Sequence, residues 1–466
     1  MSIQFYNTLT RKLADFKPIN SKEIKLYTCG PTVYNYAHIG NFRAYMFEDL
    51  LKRFLLYKGY KVKHVMNLTD VDDKIIKAVY QQHVSIDDYT KTYKDAFFKD
   101  LQTLGISKAE FTPAATDTIP EMVELVKTLL NKDYAYKTED GSVYFKISTF
   151  KDYGKLANLN IDEMQTGKRV ENDEYEKEEL RDFALWKGYK EEDGDVYWET
   201  DLGKGRPGWH IECSAMSTKY LGNHFDIHCG GVDNIFPHHE NEIAQSECAT
   251  GEQFVNYWLH CKHLIVNGQK MSKSLGNFYS LQDILEKGYS PEAIRLILLN
   301  THYRQTLNFT FEKLDTAEKN ITKLRNFYKS LAVTTDNPPK YAQLLKNTQS
   351  EFDACLSDDL NISGAIGAVF NMIKTINAQQ AGKAFSSKDA DNIKSSMQAF
   401  DRVLNIGRYS EIKEDDLTKD DYDLINKRLE AKKNKNWAEA DRIRDYFKEK
   451  GIILKDGPEG TTWEKV

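Results

Sequence analysis

A β-α-β unit close to the start of the chain constrains the fold more than any other feature. Ile24 to Tyr27 is an apolar run that reads as a buried strand. Asn41 to Tyr57 places Phe42, Tyr45, Met46, Asp49, Leu50, Arg53 and Phe54 at helical spacing, and Tyr60 to Asn67 reads as a second strand ending at Leu68-Thr69-Asp70. Two strands joined by a helical crossover run parallel, so a doubly wound α/β sheet is expected. In such sheets ligands bind at the carboxyl ends of the strands. Cys29, Thr69 and Asp70 fall at that edge.

The turn between the first strand and the helix, Pro31-Thr32-Val33-Tyr34-Asn35-Tyr36-Ala37-His38-Ile39-Gly40-Asn41, has the residues of a phosphate site. Gly40 lets a ligand come close to the backbone, the N–H groups opening a helix attract phosphate, and His38 sits where an imidazole can donate to a phosphate oxygen. Much later, Lys270-Met271-Ser272-Lys273-Ser274 lies in a polar stretch with Gly268 and Gly276 on either side, which reads as a mobile loop. Its two ammonium groups suit the charge that spreads when a triphosphate is cleaved between the α and β phosphates. Each segment alone is ordinary turn or surface chemistry. Together and in this order they resemble the two signatures of class I aminoacyl-tRNA synthetases. One departure is Asn41, where the general pattern of that class has a second histidine; an Asn still donates a hydrogen bond.

Composition bounds the rest. At 466 residues, two to four domains are expected, and 41% hydrophobic with 29% charged residues is ordinary for a globular chain. No segment approaches the about 18 apolar residues that cross a membrane, and Met1-Ser2-Ile3-Gln4 does not begin a basic-then-apolar leader. A cytoplasmic location without membrane contact is expected. The cysteines at 29, 213, 229, 248, 261 and 355 lack the spacing of a disulfide framework, so reduced thiols and metal ligands are the expected uses. The net charge of −6 disfavours a general nucleic-acid binder. Local charge differs: Lys427 to Lys450 holds nine Lys or Arg against five Asp or Glu, with Trp437 among them, and reads as a basic helix suited to an RNA backbone and a base face.

Two helix starts place reactive groups four residues apart. Pro207-Gly208 leads into Trp209-His210-Ile211-Glu212-Cys213, so Trp209 and Cys213 share a face. Pro237, suited to a first helical position, would put His238 and Glu242 on one face. With Cys29, these groups make a plausible four-coordinate zinc site. On spacing alone Cys229, Cys261, His263, His228 and His239 compete as ligands.

Longer segments carry a closer resemblance. Tyr27-Thr28-Cys29-Gly30-Pro31-Thr32-Val33-Tyr34, Asp182-Phe183-Ala184-Leu185-Trp186-Lys187, Gly205 through Ser214, Gly230-Gly231-Val232-Asp233-Asn234 through Glu242, Asn436 through Asp441 and Gly460-Thr461-Thr462-Trp463 resemble the cysteinyl-tRNA synthetase family over nearly the whole chain. That resemblance implies zinc, one per chain, on Cys29, Cys213, His238 and Glu242, and makes Asn41 a common variant. It also implies an amino-acid pocket of Cys29, Thr69 and Trp209, catalysis by His38, Asn41, Lys270 and Lys273, and ATP contacts from His38, Gly40, Asn41, Gly230, Asp233, Lys270, Ser272 and Lys273, with Mg²⁺. L-cysteine, ATP and cysteine tRNA are the implied substrates, and a monomer is expected.

The domain reading is a Rossmann-like catalytic half at 1–111, a connective insertion at 112–205, and a second catalytic half with the lysine loop at 206–310. A helical bundle at 311–408 and a linker with an anticodon-binding module at 409–466 follow. The insertion is short for a separate editing domain. Three rivals share parts of this pattern: a cysteine ligase of the same lineage acting on an amino sugar, a non-catalytic RNA-binding paralogue, and a simple nucleotidyltransferase. The first is truncated at the C-terminus, the second would have lost the lysine loop or a zinc ligand, and the third explains neither the zinc set nor the terminal helices.

Overall fold

In the computed structural model, residues 2–159, 168–169, 181–272, 275–332, 334–380, 383–409, 419–457 and 460–465 are described. The acidic stretch 171–179, Lys273 and most of the expected linker lie outside them.

The nucleotide-binding sheet has four parallel strands: β1 (Glu23–Thr28), β2 (Lys61–Met66), β3 (Phe225–Gly231) and β4 (Val255–Cys261), in the order β4-β3-β1-β2. Helix α1 (Ile39–Tyr57) makes the crossover from β1 to β2. It buries Phe42, Met46, Leu50 and Phe54, the row that helical spacing predicts, while Ile24, Leu26, Val65, Ile227 and Leu259 supply the sheet's side of the core. Helix α2 (Trp209–Leu221) enters the second half, and α3 (Glu240–Thr250) links β3 to β4. The connections from β1 and β3 therefore lead to opposite sides of the sheet. The gap between these neighbouring strands is the topological switch point where a doubly wound sheet takes its ligand.

The insertion is a sheet of its own, in the order Ala135–Lys137, Val143–Phe145, Arg181–Gly188, Gly203–Pro207, Trp198–Thr200, with Lys168–Arg169 paired beside Arg181–Gly188. Asp73, just past β2, ties it to the catalytic sheet by accepting from Lys187 at 3.1 Å and Arg206 at 2.5 Å.

The chain divides into two compact units, one of Met1–Phe311 with Ser357–Leu360, the other of Glu312–Leu356 with Asn361–Val466. The catalytic unit includes α4 (Pro291–Leu299). The second unit contains the long helices Ile362–Gln380 and Ser387–Leu404 and all of Ala342–Ser357 but its last residue. It ends in a small module with an apolar core of Ile425, Ile443, Phe447, Ile452 and Leu454.

Two expected helices take a different form. The basic segment is two helices, Lys419–Lys433 and Trp437–Glu449, rather than one. Lys435 has φ of 57°, and Asn436 caps the second helix by accepting from the Glu439 N–H at 3.3 Å. Pro237 does not open a helix: it follows a cis peptide bond inside the turn Ile235–His239, which Phe236 interrupts with φ −136° and ψ 134°, and α3 begins at Glu240.

Candidate active site and metal centre

The N-terminus of α1 is closed by its own signature. The His38 N–H donates to Asn41 Oδ1 at 3.0 Å, and the Asn41 N–H donates to His38 Nδ1 at 3.2 Å, a reciprocal cap. Because Nδ1 accepts, the neutral ring carries its proton on Nε2. Burial lowers the His38 pKa, which keeps the ring neutral near pH 7. Asn41 thus has a structural task that the sequence does not announce. The amides are also less open than a bare helix start, since the Ile39 N–H donates to Tyr279 O at 3.0 Å. What this terminus offers an anion is the helix dipole and the His38 Nε2–H rather than a row of unengaged N–H groups.

The second signature lies against the first. A Cβ on Gly40 would come within 2.9 Å of the His38 ring and 3.1 Å of Met271 Cε, so only glycine fits between them. The His38 ring meets Phe278 edge to face, centroids 5.0 Å apart. The loop is shaped by Asn277, whose Oδ1 accepts from the Ser272 N–H at 2.8 Å and whose Nδ2 donates to Lys270 O at 3.2 Å. Lys270 is exposed at the end of the hairpin Gln269–Lys270.

At the carboxyl ends of β1 and β3 a group of metal-type donors converges. Cys29, His238, His239 and Glu242 place ligand atoms within 4.8 Å of one another. His238 Nε2 is 3.1 Å from Glu242 Oε1, and His239 Nε2 is 3.2 Å from Cys29 Sγ. The Cys213 thiol reaches the Cys29 and His238 side chains from α2. Burial opposes ionisation of Cys213, but Cys29 and His238 outweigh it and hold the thiol well below its ordinary value. The Cys29 thiol is pushed up by the Cys213 thiol beside it and by burial. Burial and the neighbouring Cys213 likewise push Glu242 well above the usual carboxylate range.

The imidazoles and the carboxylate are held from behind. His238 Nδ1 faces His210 Nδ1 at 2.9 Å, His228 Nε2 meets Glu242 Oε2 at 2.9 Å, and His239 Nδ1 meets His260 Nε2 at 2.8 Å. His260 Nδ1 in turn reaches Thr8 Oγ1 at 2.7 Å. Such outer partners fix ring orientation around a metal. Two thiols, two imidazoles and a carboxylate, packed together where ionisation of one group raises its neighbour's pKa, fit a zinc ion, which takes N, S and O donors and supplies the balancing charge.

The expected amino-acid residues line the same edge. Trp209 stacks on His238, centroids 4.3 Å apart and planes 22° apart, and is partly exposed. Thr69 is buried, donating to Glu212 Oε2 at 3.0 Å and accepting from Asn67 Nδ2 at 3.2 Å. Gly230 faces inward: a Cβ there would lie 2.7 Å from His239 Cε1, so its role in this structure is to admit that ring. Asp233 is largely exposed, 3.9 Å from His263.

Comparison with known proteins gives the family. Residues 15–319 match the family model described as tRNA synthetases class I (C) catalytic domain, and residues 351–406 match the DALR domain. The curated cysteine–tRNA ligase of Brachyspira hyodysenteriae is 53% identical over 99% of this chain and 99% of its own length. The chain belongs to the cysteine–tRNA ligases. The Protochlamydia amoebophila cysteine–tRNA ligase is 47% identical over 99% of this chain and 98% of its own length. In fold, the family member resembles Mycobacterium tuberculosis methionyl-tRNA synthetase in complex with methionyl-adenylate. The TM-score is 0.61 and the identity 16%, over 83% of this chain and 90% of that one. As a class I cysteine–tRNA ligase, the chain has a Rossmann-like parallel sheet interrupted by an insertion and followed by a helical C-terminal region. None of its helices among the described residues is long and apolar enough to cross a membrane.

Proposed function

We propose that this cysteine–tRNA ligase performs its two-step reaction at the edge where α1, the lysine loop and the thiol–imidazole cluster meet. The observation that carries this reading is the packing of Met271 against Gly40, which unites two signatures about 230 residues apart in sequence at the switch point of the sheet.

In the first step the cysteine carboxylate attacks the α-phosphorus of ATP in line, and pyrophosphate leaves. His38 Nε2–H donates to a phosphate oxygen, the α1 dipole favours the anion, and Lys270 and Lys273 meet the charge spreading onto the leaving group, with Mg²⁺ accompanying the nucleotide. Asn41 holds the His38 tautomer in which that donor exists. In the second step a terminal ribose hydroxyl of cysteine tRNA attacks the carbonyl carbon of the adenylate, and AMP leaves. Gly230 and Asp233 are assigned to the adenosine side of the site.

Cys29, Cys213, His238 and Glu242 are the proposed zinc ligands, with His239 holding Cys29. Zinc bound there supplies a soft Lewis acid that lowers the pKa of a substrate thiol and is a poor partner for a serine hydroxyl. Trp209 and Thr69 shape the pocket beside it. Sulfur for oxygen is too small a change for shape alone to reject strongly, so discrimination by donor chemistry makes a hydrolytic editing domain unnecessary.

The terminal module is assigned to the anticodon. Trp437 is 58% exposed at the start of its helix, just past Lys432, Lys433 and Lys435, a ring and cations suited to a base and a phosphate backbone. A monomer in the cytoplasm completes the proposal.

The test is ATP-dependent attachment of labelled cysteine to cysteine tRNA, with serine and a non-cognate tRNA as controls. Charging by cysteine alone supports the reading. Folded, zinc-loaded protein that fails to charge tRNA overturns it in favour of the amino-sugar ligase or the silent paralogue.

A further inference from the structure

Between Thr32 and His38 the signature turn carries two exposed rings that the adenylation chemistry does not use. Tyr36 is 54% exposed and Tyr34 39%. Neither is loose surface. The Tyr36 ring meets Tyr93 edge to face, centroids 5.2 Å apart and planes at 74°, and Tyr93 meets Tyr89 the same way at 5.3 Å. Tyr89 Oη donates to Tyr34 O at 2.9 Å, which fixes the turn from below. The Tyr36 N–H donates to Asn35 Oδ1 at 2.9 Å, and Lys74 Nζ stands 5.4 Å from the centre of the Tyr34 ring. The result is a small platform of braced rings two residues from His38.

We propose that Tyr36 is a stacking platform for the unpaired 3′ end of the tRNA; the proposal rests on the function stated above. The terminal ribose must reach the adenylate while the paired stem stays outside, so single-stranded nucleotides pass over the rim of the site. Unstacked bases seek flat faces, and an exposed tyrosine held rigid by another ring offers one at little entropic cost. Local charge favours bases over phosphates as the moiety recognised here. Lys91 is paired with Asp95 at 2.5 Å and Lys94 with Asp70 at 2.6 Å, so two of the nearby cations are already balanced. Tyr36 touches neither ATP nor cysteine in this scheme. It is a binding residue for the acceptor end and acts in the second step.

The experiment compares wild type with Tyr36→Ala and Tyr36→Phe in three measurements: cysteine-dependent ATP–pyrophosphate exchange, single-turnover transfer from preformed adenylate, and binding of intact tRNA against tRNA lacking its unpaired 3′ nucleotides. Tyr36→Ala is expected to slow transfer at subsaturating tRNA by about tenfold with exchange and melting temperature unchanged. Tyr36→Phe keeps the ring and should behave as wild type. The binding loss in Tyr36→Ala should vanish with the truncated tRNA. Unchanged transfer in Tyr36→Ala overturns the proposal, as does an equal loss in exchange, which would assign the ring to the first step or to the fold. A Tyr36→Phe variant as slow as Tyr36→Ala also overturns it, because the hydroxyl rather than the ring face would then matter. If wild type itself charges no tRNA, the underlying function fails first, and the proposal with it.

Discussion

At the scale of single residues, the site joins groups whose chemistry is visible in the sequence to groups whose partners are not. Cys29 and His38 announce themselves by position, one after a buried strand and the other before a helix. The chain His239–His260–Thr8 does not, because its contacts cross 21 and 252 residues and no local pattern connects them. Asn41 shows the same limit: its type suggests a ligand contact, whereas the structure uses its carboxamide oxygen to close the helix. Glu48 falls outside the row that helical spacing predicts for the buried face of α1, yet it is buried. It is 1% exposed, and burial, only partly offset by the Thr28 hydroxyl, pushes its pKa up to about 8. The folded state therefore favours the protonated form. Its contribution is intact below the ordinary value near 4.5 and is lost as pH rises toward about 8. Glu48→Gln, which stays neutral, is expected to raise the melting temperature at pH 8.5 and to change it little at pH 5, as read by thermal unfolding at both values. A variant equally stable with wild type at both pH values would contradict this.

At the scale of elements, the strand-helix-strand start was legible because its apolar periodicities are long and its turn has strong punctuation. The π-like turn before α3 and the break at Lys435 were not. In each case a local backbone conformation overrides a sequence pattern that reads as continuous helix. Helix α4 lies within the 206–310 segment of the domain reading, but what holds it there is not a local pattern. Its helical spacing is clear, but its attachment to the catalytic unit depends on Arg295, which donates to Asp49 Oδ2 on α1 at 2.5 Å with both side chains fully buried. Arg53 adds a second contact to Asp49 at 2.7 Å. Burial alone would raise the Asp49 pKa, but Arg295 and Arg53 outweigh it and hold the group at about 2, below its ordinary 3.8. The stability this pair provides is therefore present above about pH 4 and lost as pH falls toward about 2. Asp49→Asn leaves a buried guanidinium without its counter-charge and is expected to cost about 3–5 kcal/mol, measured by denaturant unfolding at pH 7. A loss under about 1 kcal/mol would show that the pair behaves as an exposed one.

At the scale of the whole molecule, sequence similarity gives the family and the structure gives the class I fold. Local motifs point to a class I enzyme, and the amino acid is read from the proposed donor set Cys29, Cys213, His238 and Glu242, drawn from a strand end, a helix, a turn and another helix. The fold brings Cys29, His238, His239 and Glu242 within 4.8 Å of one another and sets Cys213 beside Cys29 and His238. The overall charge of −6 conceals a division of labour, since the terminal module concentrates cations around Trp437. Trp437→Ala is expected to raise the KM for cysteine tRNA by about tenfold while leaving ATP–pyrophosphate exchange at the wild-type rate. A parallel loss in exchange would place the residue's effect in the catalytic unit instead. In the proposed mechanism, donor chemistry at the thiol–imidazole cluster, rather than pocket shape, selects the amino acid. ATP–pyrophosphate exchange with cysteine and with serine, on zinc-loaded protein and on the same protein stripped by a chelator, tests it most directly. The account predicts exchange with cysteine alone, its loss with the metal, and its return when zinc is restored. Discrimination between cysteine and serine that survives in the metal-free protein would contradict it.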